Sequence, residues 1–287
     1  MRVIRNIVLS VVVLVVAVAI GAFGWIYFFP PDLLRVGTAY AAKMVCSSHF
    51  ISGRDPAQVF AEDVQAPGHP LLKDIEVVQT DRDQFSASLY GWIATSVAVH
   101  RDGLGCAVAP SGNVEAVRAV RIENPLPPLE ESDFEWPLGD EVSLEKHAGV
   151  QALITDPTLA GPGMRAIVVV KNGRIIAETY APGYTKDTPL MGWSMTKTVT
   201  AALVALRVGE GRLAWDQDHL FPDWTDDRAK IKLSDLMAMQ SGLDLEETYG
   251  DVNDVTRMLF LEPDQAAFVA AKGLEAEPGT KFAYTTG

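Results

Sequence analysis

The longest apolar run of the chain stands near its beginning. Residues 7–29 carry no charged side chain, and Arg2 and Arg5 precede them. About 20 apolar helical residues are enough to cross the hydrocarbon core of a bilayer. The run therefore predicts a single transmembrane anchor over residues 7–29. The two arginines place residues 1–6 in the cytoplasm and the chain after Pro30 on the exported side.

A cleaved signal peptide is the alternative interpretation of this run. Ala39-Tyr40-Ala41 has the small-x-small form of a cleavage site. The apolar stretch of a signal peptide typically has about 7–15 residues, however, and this candidate site lies well beyond the end of the run. We favour an uncleaved anchor in the inner membrane. Under either interpretation the bulk of the chain lies on the periplasmic or extracellular side.

Residues 30–142 form the first exported region. Residues 55–64 predict a short helix, and residues 74–109 alternate apolar and polar positions, with breaks near Asp81 and Asp102-Gly103. This alternation predicts a small β-meander. Proline and acidic residues are concentrated in residues 123–140, which we interpret as a linker. No catalytic constellation stands out in this region.

The pattern changes in residues 143–287, which we assign to a second exported domain. Residues 143–155 predict a helix, and residues 164–183 contain two β-rich runs joined by Asn172-Gly173, a strong hairpin signal. Apolar positions on one face of residues 195–206 predict a further helix, and shorter helical runs follow. Anchor, first region and second domain thus occupy residues 1–29, 30–142 and 143–287. The alternation of helices and strands indicates an α/β or α+β fold.

Charge and cysteine content restrict the partners. The formal net charge is -13, which argues against a nucleic-acid partner, because such a protein needs a basic face. Cys46 and Cys106 are the only cysteines, and in an oxidising compartment a pair is most simply one disulfide. Two buried free thiols are the alternative. We expect no metal ion and no cofactor.

The pattern Ser-x-x-Lys occurs twice, at Ser143–Lys146 and at Ser194–Lys197. At most one of them can be catalytic. Ser143 opens a polar stretch, so a helix cap followed by a solvated lysine is the better interpretation there. Ser194 instead precedes a helix rich in Ala, Val and Leu. Such a helix, apolar on most faces, is typically buried.

The spacing at Ser194 suits nucleophilic catalysis. Residues three apart share a helix face, so the Lys197 amine can approach the Ser194 hydroxyl. A serine hydroxyl is a weak nucleophile until a base takes its proton, and burial lowers the pKa of a lysine towards the neutral form that can act as a base. A helix N-terminus also suits a developing oxyanion. The spacing alone leaves a structural and a catalytic interpretation about equally open.

A family resemblance favours the catalytic interpretation. The segment WSMTKTVTAALVALRVGEGRLAWDQ resembles the active-site helix of the serine β-lactamase and penicillin-binding-protein superfamily, especially its class C-like branch of esterases and 6-aminohexanoate-oligomer hydrolases. Three more segments resemble that branch, in the expected order: MRAIVVVKNGRIIAETY, IKLSDLMAMQSGL and PGTKFAYTTG. The resemblance covers residues 145–287 and implies a β-lactamase-like sheet flanked by helices.

The resemblance also implies roles for three residues. Ser194 is the acylated nucleophile, Lys197 is its partner, and Tyr284 is the tyrosine of the second motif, whose phenol relays the proton to the leaving group. The implied substrate is an ester or an amide, which includes peptides and cell-wall fragments. The branch often has Asn where this chain has Thr286. That difference speaks against β-lactamase activity and leaves ester or amide hydrolysis open.

Other polar residues receive a structural interpretation. Glu246, Glu247 and Tyr249 follow the Ser-Gly-Leu segment. They either line a cleft or are solvated loop residues, and the second interpretation is favoured. His219 is expected at the surface.

The family's third motif, a strand with Lys or His and Gly, has no counterpart before Gly287. We therefore expect a fragment or truncated product with an incomplete sheet and little or no activity. Two hypotheses follow. The first is an outward-facing, membrane-anchored serine hydrolase. The second is a non-catalytic, membrane-tethered binding or scaffold protein on a degenerate hydrolase fold, with residues 30–140 as its interaction module.

Overall fold

The computed structural model describes residues 2–66, 68–110, 112–122, 132–139, 147–248 and 250–287. They divide into two units. The first consists of Met1–Arg121 together with Met191–Gly287, and the second is Ile122–Leu190. Most of the predicted linker, Ser143 and Lys146 of the second Ser-x-x-Lys pattern, and Tyr249 lie outside the described residues.

Two long helices begin the first unit. Helix α1 covers Arg2–Phe28, and α2 covers Asp32–Ser52. Pro30 and Pro31 separate them, because proline lacks the N–H that would continue the hydrogen-bond ladder. Residues Ile4–Phe28 are long and apolar enough to cross a membrane, and none of the most apolar window is buried. A membrane span and a signal sequence both fit such a helix.

Helix α2 forms the core of the N-terminal part of this unit, and no helix was predicted there from the sequence. Its fully buried side chains recur every three or four residues, at Thr38, Ala41 or Ala42, and Val45. That spacing is typical of a helix with one buried face, and small residues let the facing sheet approach closely. Cys46 and Cys106 form a disulfide that links α2 to the last strand, as predicted.

The sheet that faces α2 is an antiparallel meander. Its strands lie in chain order and consist of β1 Ile75–Asp81, β2 Gln84–Leu89, β3 Ile93–Arg101 and β4 Gly105–Val108. Phe85 of β2 pairs with Ala98 of β3, and both are buried. The breaks near Asp81 and Asp102-Gly103 are confirmed. A third turn, Tyr90-Gly91-Trp92, was not predicted.

Short helices complete this part of the unit. Helix α3 covers Pro56–Val59 and continues as a π-helical segment, Phe60–Gln65, which confirms the predicted helix. A 3₁₀ turn, Pro70–Asp74, leads into β1, and α4 covers Val114–Ala119.

Residues 191–287 form the second part of the unit around a small core of their own. Its helices are α7 Thr196–Gly209, α8 Leu233–Met237, α9 Asp254–Phe260 and α10 Gln265–Ala270, with 3₁₀ turns at Trp193–Met195 and Asp227–Lys230. Trp224, Ile231 and Met258 are among its buried side chains. The Trp224 indole donates to the Ala270 carbonyl at 2.7 Å, so this large side chain is buried without leaving a polar atom unpaired.

The second unit contains the predicted hairpin. Helices α5 Ala148–Ile154 and α6 Pro157–Ala160 precede strands β5 Ala166–Lys171 and β6 Arg174–Tyr180. Asn172 and Gly173 both have positive φ, at 51° and 74°, as a two-residue type I′ turn requires. The predicted helix over residues 143–155 is confirmed for residues 148–154, where the structure describes it.

Helix α7 corrects one expectation. Its apolar spacing predicted a buried helix, but Val199, Leu203 and Leu206 are 60%, 58% and 62% exposed. An amphipathic pattern becomes buried only where another element covers the apolar stripe, and no described element covers this one. The mixed fold of helices and antiparallel sheets otherwise agrees with the predicted fold class.

Candidate active site

Ser194 lies in a tight turn at the start of α7. The 3₁₀ turn Trp193–Met195 leads directly into the helix, and the Met195 N–H donates to the Gly192 carbonyl at 2.9 Å. Trp193 has a φ of 43°, in the left-handed region that a bulky residue rarely adopts. Such a conformation costs on the order of 1 kcal/mol or more and persists only where the surroundings hold it. The turn therefore presents Ser194 at the helix N-terminus from a strained backbone.

Lys197 contacts Ser194 as the spacing predicted. Its Nζ lies 3.1 Å from Ser194 Oγ and 3.2 Å from Thr286 Oγ1. The side chain is only half-buried, so the deep burial expected for this lysine is absent. Its hydrogen bonds, and not an apolar enclosure, hold the amine beside the serine.

Tyr284 approaches the same serine from the other end of the sequence. Its hydroxyl lies 2.7 Å from Ser194 Oγ, and Lys197 Nζ lies 5.0 Å from the centre of its ring. The hydrogen bond with Ser194, and next that with Lys197, lower the pKa of Tyr284 below its ordinary value of 10.0, while partial desolvation and the charge of Glu247 oppose the shift. In the phenolate form the direction of the first bond reverses, and the Ser194 hydroxyl donates to the tyrosine oxygen.

Glu247 joins the site, although a solvated loop position was favoured for it. Its Oε2 accepts from the Thr286 backbone N–H at 2.5 Å, and its Oε1 accepts from the Thr286 hydroxyl at 3.0 Å. The Thr286 oxygen then has a lone pair available for Lys197. Glu246 next to it stays exposed and accepts from the Thr248 hydroxyl at 3.1 Å. His219 is also exposed, as expected.

The Ser-Gly-Leu segment positions the segment that carries Tyr284. The Ala283 N–H donates to the Met239 carbonyl at 2.9 Å. Gly242 has a φ of 75°, and a Cβ at this position would lie 2.3 Å from the Ala276 carbonyl oxygen. Only glycine combines this backbone conformation with such a close approach. Close packing therefore explains why residue 242 is a glycine. The segment around Ala276, against which Gly242 packs, continues to Tyr284 in the site.

Helix α2 supports the turn before the nucleophile. The Tyr40 ring stacks on Trp193 with 6.5 Å between ring centres and meets Phe260 of α9 edge to face at 5.8 Å. Burial, and then the charge of Asp63, raise the pKa of Tyr40. No pattern in the sequence connected Tyr40 with the site, because α2 itself was not predicted. The only sequence signal was the three-and-four spacing of small apolar residues in α2.

The arrangement has the components of nucleophilic acyl transfer. The Ser194 hydroxyl contacts the Tyr284 phenol and the Lys197 amine. The Glu247 carboxylate hydrogen-bonds to Thr286, and Thr286 contacts the same amine. Such a set provides a nucleophile, two groups that can exchange its proton, and a positioning charge. In the ranges that the structure describes, no three or more His, Cys, Asp or Glu side chains are grouped to hold a metal ion.

Comparison with known proteins agrees with these motifs. The family model described as Beta-lactamase matches residues 153–287, and no curated protein sequence matches the chain. One solved structure similar to the chain is a Bacillus anthracis protein provisionally assigned as a 6-aminohexanoate-dimer hydrolase, with 23% identity and a TM-score of 0.36. The match covers 42% of this chain and 36% of that protein, so it spans about a third of the relative's length. The family model thus matches the segment in which the motifs around Ser194 resemble serine hydrolases of this superfamily.

Proposed function

We propose that this chain is a membrane-anchored serine hydrolase that acts through an acyl-enzyme on Ser194. One observation carries the proposal. Within the segment that matches the β-lactamase family, Ser194 Oγ lies 3.1 Å from Lys197 Nζ and 2.7 Å from the Tyr284 hydroxyl. If Ser194 were only a helix cap and Lys197 a solvated charge, neither the contact with Tyr284 nor the strained turn at Trp193 would be needed. The three residues are those that the family resemblance implied.

The proposed chemistry runs in two steps. Ser194 Oγ attacks the carbonyl carbon of an ester or amide, and its proton passes to the deprotonated Tyr284 oxygen. The bond to the leaving group then breaks, and the same proton goes to the departing alcohol or amine. Water completes the cycle when it attacks the acyl-enzyme, returns a proton to Ser194 through Tyr284 and releases the acid.

Lys197 and Glu247 have supporting roles in this proposal. The positive charge of Lys197 beside the Tyr284 ring favours the phenolate that accepts the proton. Glu247 fixes Thr286 by two hydrogen bonds, and Thr286 in turn contacts Lys197. We assign Glu247 and Thr286 as positioning residues, because they act on Ser194 through Lys197.

The proposed substrate is an ester or amide that the exposed serine can reach. Ser194 and Tyr284 are both exposed, so an acyl group can approach without the opening of a lid. Thr286 replaces the asparagine side chain that is frequent in the branch, which removes an amide group from the site. We therefore propose hydrolysis of simple esters or amides over β-lactam hydrolysis.

The proposed location is the inner membrane, with the catalytic residues on the exported side. The Ile4–Phe28 helix is long enough to span the bilayer, and Arg2 and Arg5 favour a cytoplasmic N-terminus. The Cys46–Cys106 disulfide supports this location, since disulfides persist in oxidising compartments.

Covalent labelling tests the proposal directly. The full chain is treated with a fluorophosphonate probe, and in parallel with a penicillin probe, and the modified peptide is identified by mass spectrometry. We expect fluorophosphonate on Ser194 and none on Ser194→Ala. Ser143→Ala is the matched control, because it removes the serine of the other Ser-x-x-Lys pattern and should leave labelling unchanged. An unlabelled wild type, or undiminished labelling of Ser194→Ala, would favour the non-catalytic scaffold instead.

A further inference from the structure

An aromatic turn of the exported sheet lies against the end of α1. Trp92, in the turn between β2 and β3, has its ring centre 4.8 Å from that of Phe23 and 5.7 Å from that of Tyr27. Phe23 and Tyr27 are four residues apart and share one helix face. The turn therefore contacts the last two turns of the helix that we propose as the anchor.

The position along α1 sets the depth of this contact. Phe23 is five residues before the end of the helix at Phe28, which corresponds to about 8 Å at 1.5 Å per residue. In a helix that spans the bilayer, this distance covers the boundary between acyl chains and headgroups. Trp and Tyr side chains concentrate at that boundary, because their rings are apolar and their N–H or O–H groups remain hydrated. Trp25 and Tyr27 of α1 already occupy it.

The turn itself points aromatic side chains outward. Tyr90 is 57% exposed and Trp92 is 40% exposed, whereas Leu89 and Ile93 on either side are buried. Tyr90 and Gly91 have φ values of 50° and 80°, and the Tyr90 N–H is tied to the Asp74 carbonyl at 3.1 Å. The left-handed backbone conformation of Tyr90 costs on the order of 1 kcal/mol. The exposure of two aromatic rings to water does not offset this cost, because burial of apolar surface is what lowers the free energy.

We propose that Tyr90 and Trp92 are a second membrane contact, inserted at the headgroup boundary beside the outer end of α1. This inference rests on the proposed anchoring by α1. A lipid bilayer is the occupant that fits, since the neighbouring face of α1 is continuous with the turn and must itself lie in lipid. The two contacts would hold the sheet of residues 75–108 close to the membrane instead of leaving it on a free tether.

Fluorescence quenching in vesicles tests this contact. The full chain is reconstituted into phosphatidylcholine vesicles that carry bromine either near the headgroups or deep in the acyl chains. The contribution of Trp92 is obtained as the difference between wild type and Trp92→Phe, which keeps an aromatic ring. We expect shallow bromine to quench this component more strongly than deep bromine does. Trp215→Phe, which removes an exposed tryptophan outside the turn, is the control and should leave the quenched component unchanged.

Flotation of the vesicles separates the hypothesis that α1 is an anchor from the hypothesis that Tyr90 and Trp92 are a second membrane contact. If the full chain does not float with the vesicles, α1 is not an anchor and both hypotheses are wrong. If the chain floats and the Trp92 component keeps its intensity with both lipids, the anchor stands and the second contact is wrong. Co-flotation together with loss of the Trp92 component in shallow-brominated vesicles supports both.

Discussion

The Tyr284 hydroxyl lies 2.7 Å from Ser194 Oγ, although 90 residues separate them in the sequence. A helix cap would not require this contact. The hydrogen bonds with Ser194 and Lys197 lower the pKa of Tyr284. The proposed proton transfer from Ser194 to Tyr284 therefore predicts a titration that can be measured.

Tyr284 should be an early-titrating tyrosine among the seven of the chain. Its folded-state pKa lies below 10.0, so the phenolate forms at a lower pH than in an unfolded chain. We expect Tyr284→Phe to remove an early step from the ultraviolet titration of tyrosinate absorbance. Tyr180→Phe is the control, because burial and the adjacent Glu178 raise the pKa of Tyr180 to about 12 and the variant should lose only a late step. An early step that survives in Tyr284→Phe would contradict the coupling.

The rate of Ser194 labelling should follow the same titration. If the phenolate takes the serine proton, fluorophosphonate labelling rises with pH through the lowered pKa of Tyr284 and levels off above it. Tyr284→Phe should label slowly at every pH and lose this rise. A pH profile that is the same in wild type and Tyr284→Phe would assign the proton transfer to another group.

Glu247→Gln should slow labelling without unfolding the protein. The substitution keeps the shape of the side chain and removes the charge that receives the two Thr286 hydrogen bonds. Hydrogen bonds to charged groups contribute about 1.5–3 kcal/mol, and solvent around this half-buried carboxylate reduces the effect to about 1 kcal/mol. That corresponds to roughly five-fold slower labelling. Glu247→Asp, which restores the charge, should recover part of the rate.

The neighbouring residue provides the control for this prediction. Glu246 is exposed and contacts Thr248 instead of Thr286, so Glu246→Gln should label at the wild-type rate. Thr286→Val should slow labelling about as much as Glu247→Gln, and the double variant should be no slower than either one, because the two residues act as one unit. Additive effects would mean that Glu247 acts by a route other than Thr286.

Patterns within one segment were predictable, whereas contacts between distant segments were not, with two exceptions. The cysteine count predicted the Cys46–Cys106 disulfide, and the family resemblance implied that Tyr284 acts with Ser194. The Asn172-Gly173 hairpin, the meander and the approach of Lys197 to Ser194 follow from local turn chemistry and periodicity. Glu247 was missed because its partner, Thr286, lies 39 residues away and no local pattern links them. The exposure of α7 was mispredicted for a related reason, since periodicity identifies an apolar face and does not identify what covers it.

Helix α2 shows a second limit of the local pattern. Its buried face consists mainly of Ala, Thr, Val and Cys, which carry a weak hydrophobic signal, and the preceding apolar run dominates that part of the sequence. The spacing was present, but small residues indicate close packing only once the facing sheet is known. The support that Tyr40 gives to Trp193 was invisible for the same reason.

Tyr40 should stabilise both the fold and the turn before the nucleophile. Tyr40→Ala removes the ring that stacks on Trp193 and meets Phe260. Full burial of an aromatic ring makes its truncation cost about 3–5 kcal/mol, and we expect about 2–3 kcal/mol for this partly buried side chain. Ser194 labelling of the folded variant should also become slower. Tyr40→Phe keeps the ring and loses only the 3.3 Å hydrogen bond to the Asp63 carbonyl, so both quantities should stay near wild type.

Removal of the disulfide should destabilise the N-terminal part of the first unit more than the site. Cys46 and Cys106 are 60 residues apart, and closure of a loop of that length restricts the unfolded chain by about 4 kcal/mol. Both sulfurs belong to nearly inaccessible residues, so Cys46→Ala/Cys106→Ala also leaves a small gap in the core. We expect a lower melting temperature for the oxidised protein after this double substitution, and no further decrease when a reductant is added. Because the buried cluster around Trp224 and Met258 is separate from the one that contains the disulfide, Ser194 labelling well below the melting temperature should remain at the wild-type rate. Equal melting temperatures for wild type and the double variant under oxidising conditions would show that the bond does not stabilise the fold.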